Sequence, residues 1–96
     1  MYVLIAYDVC TVDYSGRRRL NKIAKLCVRY GQRVQNSVFE CLVEPSELAV
    51  LKSEILKMMD TEQDSVRFYN LGDRYKTKIE HYGIKGAYEA EGELIL

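Results

Sequence analysis

The order of apolar and polar positions predicts a strand followed by a helix in the first third of the 96-residue chain. Residues 2 to 8 read YVLIAYD, a nearly continuous apolar run typical of a central strand, and the run ends in the carboxylate of Asp8. The polar residues from Cys10 to Gly16 predict a loop. A helix is predicted from about Arg17 to Tyr30, with Gly31 expected to cap it in a left-handed conformation. Its core positions repeat at helical spacing: Leu20, Ile23, Ala24 and Cys27.

Residues 33 to 44 alternate in side-chain character and so predict β structure. The stretch is compatible with one long strand or with two short ones, and the turn-favouring pair Asn36 and Ser37 favours two. A second helix is expected to begin after Glu44, with Pro45 at its first position, and to end near Asp60. Its predicted buried stripe consists of Leu48, Leu51, Ile55 and Met58.

Residues 66 to 71 predict the next strand, with Gly72 and Asp73 as the turn after it. The element order is then β-α-β-β-α-β, which predicts one α+β domain over residues 1 to 96, ferredoxin-like, with both helices on one face of an antiparallel sheet. Residues 76 to 82 predict an additional edge strand, and the chain ends in an apolar triplet at residues 94 to 96. We expect the segment 76 to 96 to pack on a second copy of the chain, so the sequence predicts a homodimer.

The composition indicates a globular protein but does not identify its chemistry. The chain is 48% hydrophobic with a single proline, as in compact globular domains. It contains neither an apolar stretch of membrane-spanning length nor a recognisable secretion signal, so a cytoplasmic protein without membrane attachment is expected. Its three cysteines lack zinc-ligand spacing, and Cys27 and Cys41 are predicted to be reduced and packed in the core.

The net charge of zero conceals a division of the chain into a basic and an acidic part. Residues 1 to 35 carry seven basic and two acidic groups, a net charge of +5, and the remainder carries −5. Four of these cations repeat on one side of the first predicted helix and form what we call the basic ridge: Arg18, Lys22, Lys25 and Arg29. With Arg17, Arg19 and Arg33 nearby, the ridge indicates contact with nucleic-acid phosphates. No motif for reading base sequence accompanies it.

Asp8 is the candidate for metal chemistry, because a strand-terminal carboxylate lies where the chain leaves the core. A metal-assisted hydrolase normally needs two or more carboxylates around the ion, and only Asp13 is close to Asp8 in sequence. A twofold dimer would supply the second carboxylate if the two copies of Asp8 faced one cleft. The chain shows no serine-histidine-aspartate set, no phosphate-binding glycine loop and no HExxH helix.

Four segments together resemble one known family over residues 1 to about 82. They are YVLIAYDV, RRRLNKIAKLCVRYG, GQRVQNSVFECLV and RFYNLGDRYKTKIEHYG, and they occur in the expected order. The chain resembles the CRISPR-associated protein two family, the companions of the integrase in spacer acquisition. The resemblance implies a ferredoxin-like homodimer and an Mg²⁺-dependent endonuclease of DNA or RNA, with Asp8 and Tyr7 as catalytic residues and Asp8 as the metal ligand. Its nucleic-acid partners would be double-stranded DNA and single-stranded RNA. The resemblance also implies contacts with nucleic acid for the following residues: Arg17, Arg19, Arg33, Ser37 and Phe39.

Three functions stay open on the sequence. The first is the metal-dependent endonuclease, and the second is a non-catalytic adaptor that bridges integrase dimers and holds duplex DNA on the basic ridge. The third is a toxin-type ribonuclease of the same fold. An acylphosphatase is rejected, because its phosphate loop follows the first strand directly, whereas GQRVQNSVFE here follows the first helix.

Overall fold

The computed structural model describes residues 1 to 83 and contains a four-stranded antiparallel sheet with two helices. The elements are β1 (Tyr2–Asp8), α1 (Tyr14–Cys27), β2 (Gly31–Gln35), β3 (Val38–Leu42), α2 (Pro45–Met58) and β4 (Ser65–Gly72). The sheet order is β2-β3-β1-β4, so the strand that ends in Asp8 is central, as its apolar run predicts. The predicted α+β ferredoxin-like order, the division of residues 33 to 44 into two strands and the extent of α2 are confirmed.

The core lies between one face of the sheet and both helices. Val3, Ile5 and Tyr7 of β1 point towards the helices and are buried. They pack against the predicted stripes of α1 and α2, and Met58 is partly buried at the rim. Cys27 and Cys41 are fully buried, as predicted. Because side chains alternate along a strand, Asp8 belongs to the other side, which we call the open face of the sheet.

Three predictions about α1 are wrong. The helix begins at Tyr14 instead of near Arg17, because the Asp13 carboxylate caps it by accepting the backbone N–H of Gly16 at 2.8 Å. It ends at Cys27 instead of near Tyr30. Gly31 is the first residue of β2 and is not a left-handed cap. A Cβ atom there would lie 1.9 Å from the carbonyl oxygen of Glu40, so glycine is required by the close approach of β3.

The segment after β4 also differs from its prediction. β4 ends at Gly72, which has a φ of 75°, and a short 3-10 helix follows at Tyr75–Thr77 in place of an edge strand. Residues 79 to 83 have no regular secondary structure. Local contacts hold this segment at the end of the sheet: the Tyr75 ring stacks on that of Tyr2 with centroids 4.0 Å apart, and Lys78 donates to the carbonyl oxygen of Leu71 at 3.0 Å. The predicted tail contact at residues 94 to 96 lies outside the described residues.

Candidate functional site

Asp8 is exposed at the end of the central strand, on the open face. Its strand neighbour on β4 is Ser65, and Ala6, two residues earlier, lies opposite Arg67. An open groove of about 360 Å³ lies here, and its lining residues are Ala6, Tyr7, Asp8, Ser37, Ser65 and Arg67. The groove therefore combines a carboxylate, two hydroxyls and a guanidinium at one end of the sheet.

The turn between β2 and β3 brings Ser37 to this groove. The carbonyl oxygen of Ser37 accepts the backbone N–H of Tyr7 at 2.9 Å, which fixes the turn against the end of β1. Arg33 braces the same turn by donating to the carbonyl oxygen of Asn36 at 2.8 Å and to its side-chain oxygen at 3.1 Å. Phe39 is fully buried, with the Arg33 guanidinium 5.7 Å from its ring centroid. Ser37 is thus part of the groove, whereas Arg33 and Phe39 hold the turn that carries it.

Tyr7 lies on the opposite side of the sheet from Asp8 and is 1% exposed. Its hydroxyl donates to the Asp64 carboxylate in the loop before β4. Burial, together with this hydrogen bond, raises the pKa of Tyr7, so the phenol stays protonated at neutral pH. The phenol lies in the core and stabilises the end of β1 from behind, while only Asp8 presents its side chain to the open face.

Asp64 is the hub of this buried network. Arg19 donates to both of its oxygens, from Nε at 2.7 Å and from a terminal nitrogen at 3.0 Å, and the backbone N–H of Asp60 donates at 3.0 Å. Burial alone would raise the pKa of Asp64, but the hydrogen bonds from Arg19 and Tyr7 outweigh it and lower that pKa. We call these residues, Tyr7, Arg19 and Asp64, the buried triad. It ties α1 and the loop before β4 to the last residues of β1.

Arg17 holds the loop that follows Asp8. Its guanidinium donates to the carbonyl oxygens of Thr11 at 3.1 Å and Val12 at 2.9 Å, and it lies 5.8 Å from the ring centroid of Tyr14. Gly16 packs so closely on this loop that a Cβ atom would lie 1.9 Å from the carbonyl oxygen of Cys10. Arg17 and Arg19, both predicted to contact nucleic acid, are therefore engaged in contacts within the chain.

The basic ridge is exposed along its whole length, as predicted. Arg18, Lys22 and Lys25 lie on the side of α1 that faces away from the sheet, because the buried residues of α1 occupy the opposite side. Arg29 follows the end of the helix. Asp8 faces outward from the other surface of the sheet. Within one chain, the structure therefore separates the basic ridge from the Asp8 groove by the thickness of the sheet and the helix layer.

Residues 1 to 83 contain no group of three or more side chains that could surround a metal ion. Asp13, the only acid near Asp8 in sequence, directs one carboxylate oxygen to the Gly16 N–H and to the Ser15 hydroxyl, at 2.8 and 2.9 Å. These contacts lower the pKa of Asp13 and assign it to helix capping. A single chain thus offers one available carboxylate in the groove, which suits Mg²⁺ only if water, substrate phosphate or a second chain completes the shell.

Sequence reasoning missed Ser65, Arg67 and Asp64. Ser65 and Arg67 follow a polar loop and show no motif, and only the β1–β4 register places them beside Asp8. Asp64 is separated from Tyr7 by 57 positions, so no local pattern relates the two. None of the helices within residues 1 to 83 is both long and apolar enough to cross a bilayer.

The comparisons with known proteins agree with the fold and with the resemblance in sequence. The family model described as CRISPR associated protein Cas2 matches residues 1–79. The CRISPR-associated endoribonuclease Cas2 of Nitratidesulfovibrio vulgaris is 56% identical, over 100% of this chain and 94% of that protein. The CRISPR-associated endonuclease Cas2 of Halalkalibacterium halodurans is 54% identical, over 99% of both chains. The crystal structure of Streptococcus pyogenes Cas2 superimposes with a TM-score of 0.81 at 51% identity, covering 86% of this chain and 100% of that one.

Proposed function

The chain belongs to the CRISPR-associated Cas2 family, and on that premise we propose that it is a metal-dependent endonuclease of nucleic acids. The observation that carries this proposal is the placement of Asp8, exposed at the end of the central strand in a groove with hydroxyl and guanidinium groups. We further propose that it acts in the cytoplasm as a homodimer, together with the integrase of spacer acquisition. Of three relatives with more than 50% identity, two are named endoribonuclease and one is named endonuclease, so both RNA and DNA are candidate substrates.

The open face supports the proposed dimer. On this face Ala6 lies opposite Val38, Leu4 lies opposite Glu40, and Leu42 is 57% exposed at the end of β3. Apolar side chains on an uncovered sheet face gain free energy when a second sheet packs on them. Twofold pairing through this face would bring the two central strands together and place two copies of Asp8 at one cleft.

In that arrangement, Asp8 from each chain would hold Mg²⁺ jointly with an oxygen of the substrate phosphate. The ion, when bound, lowers the pKa of water and neutralises charge on the phosphate. The residues of the chain keep the carboxylates in position. The buried triad fixes the end of β1 from the core side, and the Ser37 carbonyl fixes it from the β2–β3 turn.

The test is a cleavage assay on single- and double-stranded DNA and RNA, with Mg²⁺ and with EDTA, run on the wild type and on Asp8→Asn. We expect Mg²⁺-dependent cleavage by the wild type and none by the variant, because the amide lacks the charge that holds the ion. Since Asp8 is exposed, the variant should keep its melting temperature and its sedimentation behaviour. Cleavage that persists at the wild-type rate in Asp8→Asn would contradict the proposal, as would a wild type that sediments as a monomer.

A second candidate, the architectural adaptor, is favoured by the separation of the basic ridge from Asp8. Duplex DNA bound on the ridge would contact the helix layer, whereas a bond cleaved at Asp8 must reach the open face. The two activities therefore use different surfaces and can be measured independently. Asp8→Asn should abolish cleavage and leave duplex affinity unchanged. The match of the CRISPR-associated Cas2 family model to residues 1–79 favours a CRISPR role over the toxin-type ribonuclease.

A further inference from the structure

Arg67 is the cation of the Asp8 groove. It lies on β4 directly opposite Ala6, and Ser65 lies opposite Asp8, so Arg67 is the diagonal cross-strand neighbour of Asp8. Diagonal neighbours on one sheet face are roughly 7–8 Å apart at Cα, within reach of long side chains. Both residues are exposed on the open face, and both line the groove.

Arg67 is not neutralised by a carboxylate in the part of the chain that the structure describes. The ion pairs among residues 1 to 83 join the N-terminus to Asp73 and Arg19 to Asp64. Within residues 1 to 83, the Arg67 guanidinium makes one hydrogen bond, from a terminal nitrogen to the hydroxyl of Tyr69 at 3.2 Å. This bond orients the side chain along β4 and engages one of its five N–H donors. The remaining donors are available to a ligand.

The groups around the groove match a phosphodiester better than other ligands. A guanidinium presents paired N–H donors at the spacing of two phosphate oxygens, and the Ser37 and Ser65 hydroxyls can donate to the same group. Asp8 would repel the carboxylate of a peptide ligand just as it would repel a phosphate. The two non-bridging oxygens of a phosphodiester lie on a tetrahedral phosphorus, so one can accept from Arg67 while the other shares a metal ion with Asp8. In the single chain the groove has a volume of about 360 Å³ and is open on the sheet face. In the proposed dimer it would lie at the cleft shared by the two chains, where a polymer could enter.

We propose that Arg67 binds a non-bridging oxygen of the phosphodiester that lies beside Asp8. This assignment rests on the proposed nuclease function and specifies how the substrate is held there. It places the phosphate contact nearest to Asp8 in the acidic part of the sequence, and not in the cation-rich residues 1 to 35. In this role Arg67 is a catalytic residue, because a fixed cation stabilises the negative charge that grows on the phosphate during cleavage.

The test compares Arg67→Gln and Arg67→Lys with a matched control, Arg74→Gln, which removes an exposed arginine beyond the other end of β4. Cleavage is measured under single-turnover conditions on the best substrate of the wild type. We expect Arg67→Gln to lower the rate by about 100-fold or more, the effect typical of losing one preorganised donor. Arg67→Lys should recover part of the rate, since it keeps the charge but not the paired donors, and Arg74→Gln should cleave normally.

A binding measurement separates this proposal from the nuclease proposal. Fluorescence anisotropy of a short single strand is measured with Asp8→Asn, which should not cleave it, and with the double variant Asp8→Asn/Arg67→Gln. The second change should weaken binding by about 10-fold and reduce the slope of log affinity against log salt by about one. If the wild type binds but cleaves nothing, the nuclease proposal fails and this result still decides the role of Arg67.

Several outcomes would overturn the assignment. They are equal affinity with and without Arg67, an equal loss in Arg74→Gln, and a wild type that binds no single strand. Circular dichroism and sedimentation of each variant check folding and oligomeric state. If Arg67→Gln fails to fold, Arg67→Lys carries the comparison, and full wild-type rate and affinity in that variant would contradict a paired-donor contact.

Discussion

Replacing Asp64 by asparagine tests the buried triad most directly. The Asp64 side chain is fully buried, and one of its oxygens accepts from three donors: Tyr7, Arg19 and the backbone of Asp60. The other oxygen accepts from Arg19 alone at 3.0 Å. The amide oxygen of asparagine can accept from these three donors only if its NH₂ group faces the other N–H group of Arg19. Two donors then point at each other. The variant therefore loses the charge and at least one hydrogen bond in the core.

Breaking a buried ion pair by removing one partner costs about 3–5 kcal/mol. The Arg19 side chain is 16% exposed and can turn towards water, so we expect the lower end, a loss of about 3 kcal/mol of unfolding free energy. In a domain of this size, such a loss lowers the melting temperature by about 12–24 °C. Differential scanning calorimetry at one fixed protein concentration measures it. The matched control is Asp73→Asn, because Asp73 pairs with the N-terminus but its side chain is 90% exposed.

The pH dependence of this difference adds a second criterion. The folded pKa of Asp64 lies below its ordinary value, so the stability from its carboxylate is complete above about pH 5. It is lost as pH falls through the folded pKa. The gap between wild type and Asp64→Asn should therefore be constant from pH 7 to about pH 5 and should narrow in stronger acid. A variant that melts within about 4 °C of the wild type at pH 7, or a gap that widens in acid, would refute the reasoning.

Three further predictions follow from the fold and its surfaces. Gly31→Ala should destabilise the protein by about 1–3 kcal/mol in urea unfolding, because its Cβ would meet the β3 backbone; unchanged stability would show that β2 can move away. Replacing three ridge residues by glutamate, Lys22, Lys25 and Arg29, should weaken duplex binding and flatten its salt dependence, whereas Lys76→Glu should not. Equal effects of the two changes would show that the basic ridge is not the duplex-binding surface. The free energy of unfolding should fall as pH rises above about 10, because burial and the hydrogen bond to Glu40 raise the pKa of Tyr2 in the folded protein. Tyr2→Phe should reduce that fall in urea titrations at pH 9 and 11. Identical pH profiles for the variant and the wild type would contradict this.

Features that depend on local periodicity were predictable from the sequence. The apolar run of β1 indicates a central strand, and the helical repeat of Leu48, Leu51 and Ile55 indicates the buried side of α2. The start of α1 was also within reach, because Asp13 is a favoured capping residue. Ser15 and Gly16 nevertheless suggested a loop that continued past it. Gly31 was misassigned because glycine serves both left-handed turns and close backbone contacts, and sequence does not distinguish the two.

Of the residues that line the groove, the residue pattern indicated Asp8, whereas Tyr7 and Ser37 were indicated only by the resemblance to a known family. Asp8 is marked by its position at the end of an apolar strand. Its groove partners on β4 depend on the register between strands about 60 positions apart in sequence, which no short-range pattern encodes. Arg17 and Arg19 were assigned to nucleic acid because of their charge, yet their guanidinium groups bind carbonyl and carboxylate oxygens of the same chain. Charge in a sequence shows that a cation is present but not what it binds.

The buried triad also affects how inactive variants should be interpreted. An alanine scan that tracked only turnover would group Tyr7 and Arg19 with Asp8, since loss of any of the three would stop the reaction. Yet two of them act through the integrity of the molecule, because the phenol is enclosed in the core and the guanidinium is bound to an enclosed acid. Thermal melts recorded beside each assay would sort defects of folding from defects of chemistry. We expect defects of chemistry from changes on the open face of β1 and defects of folding from changes on its core face.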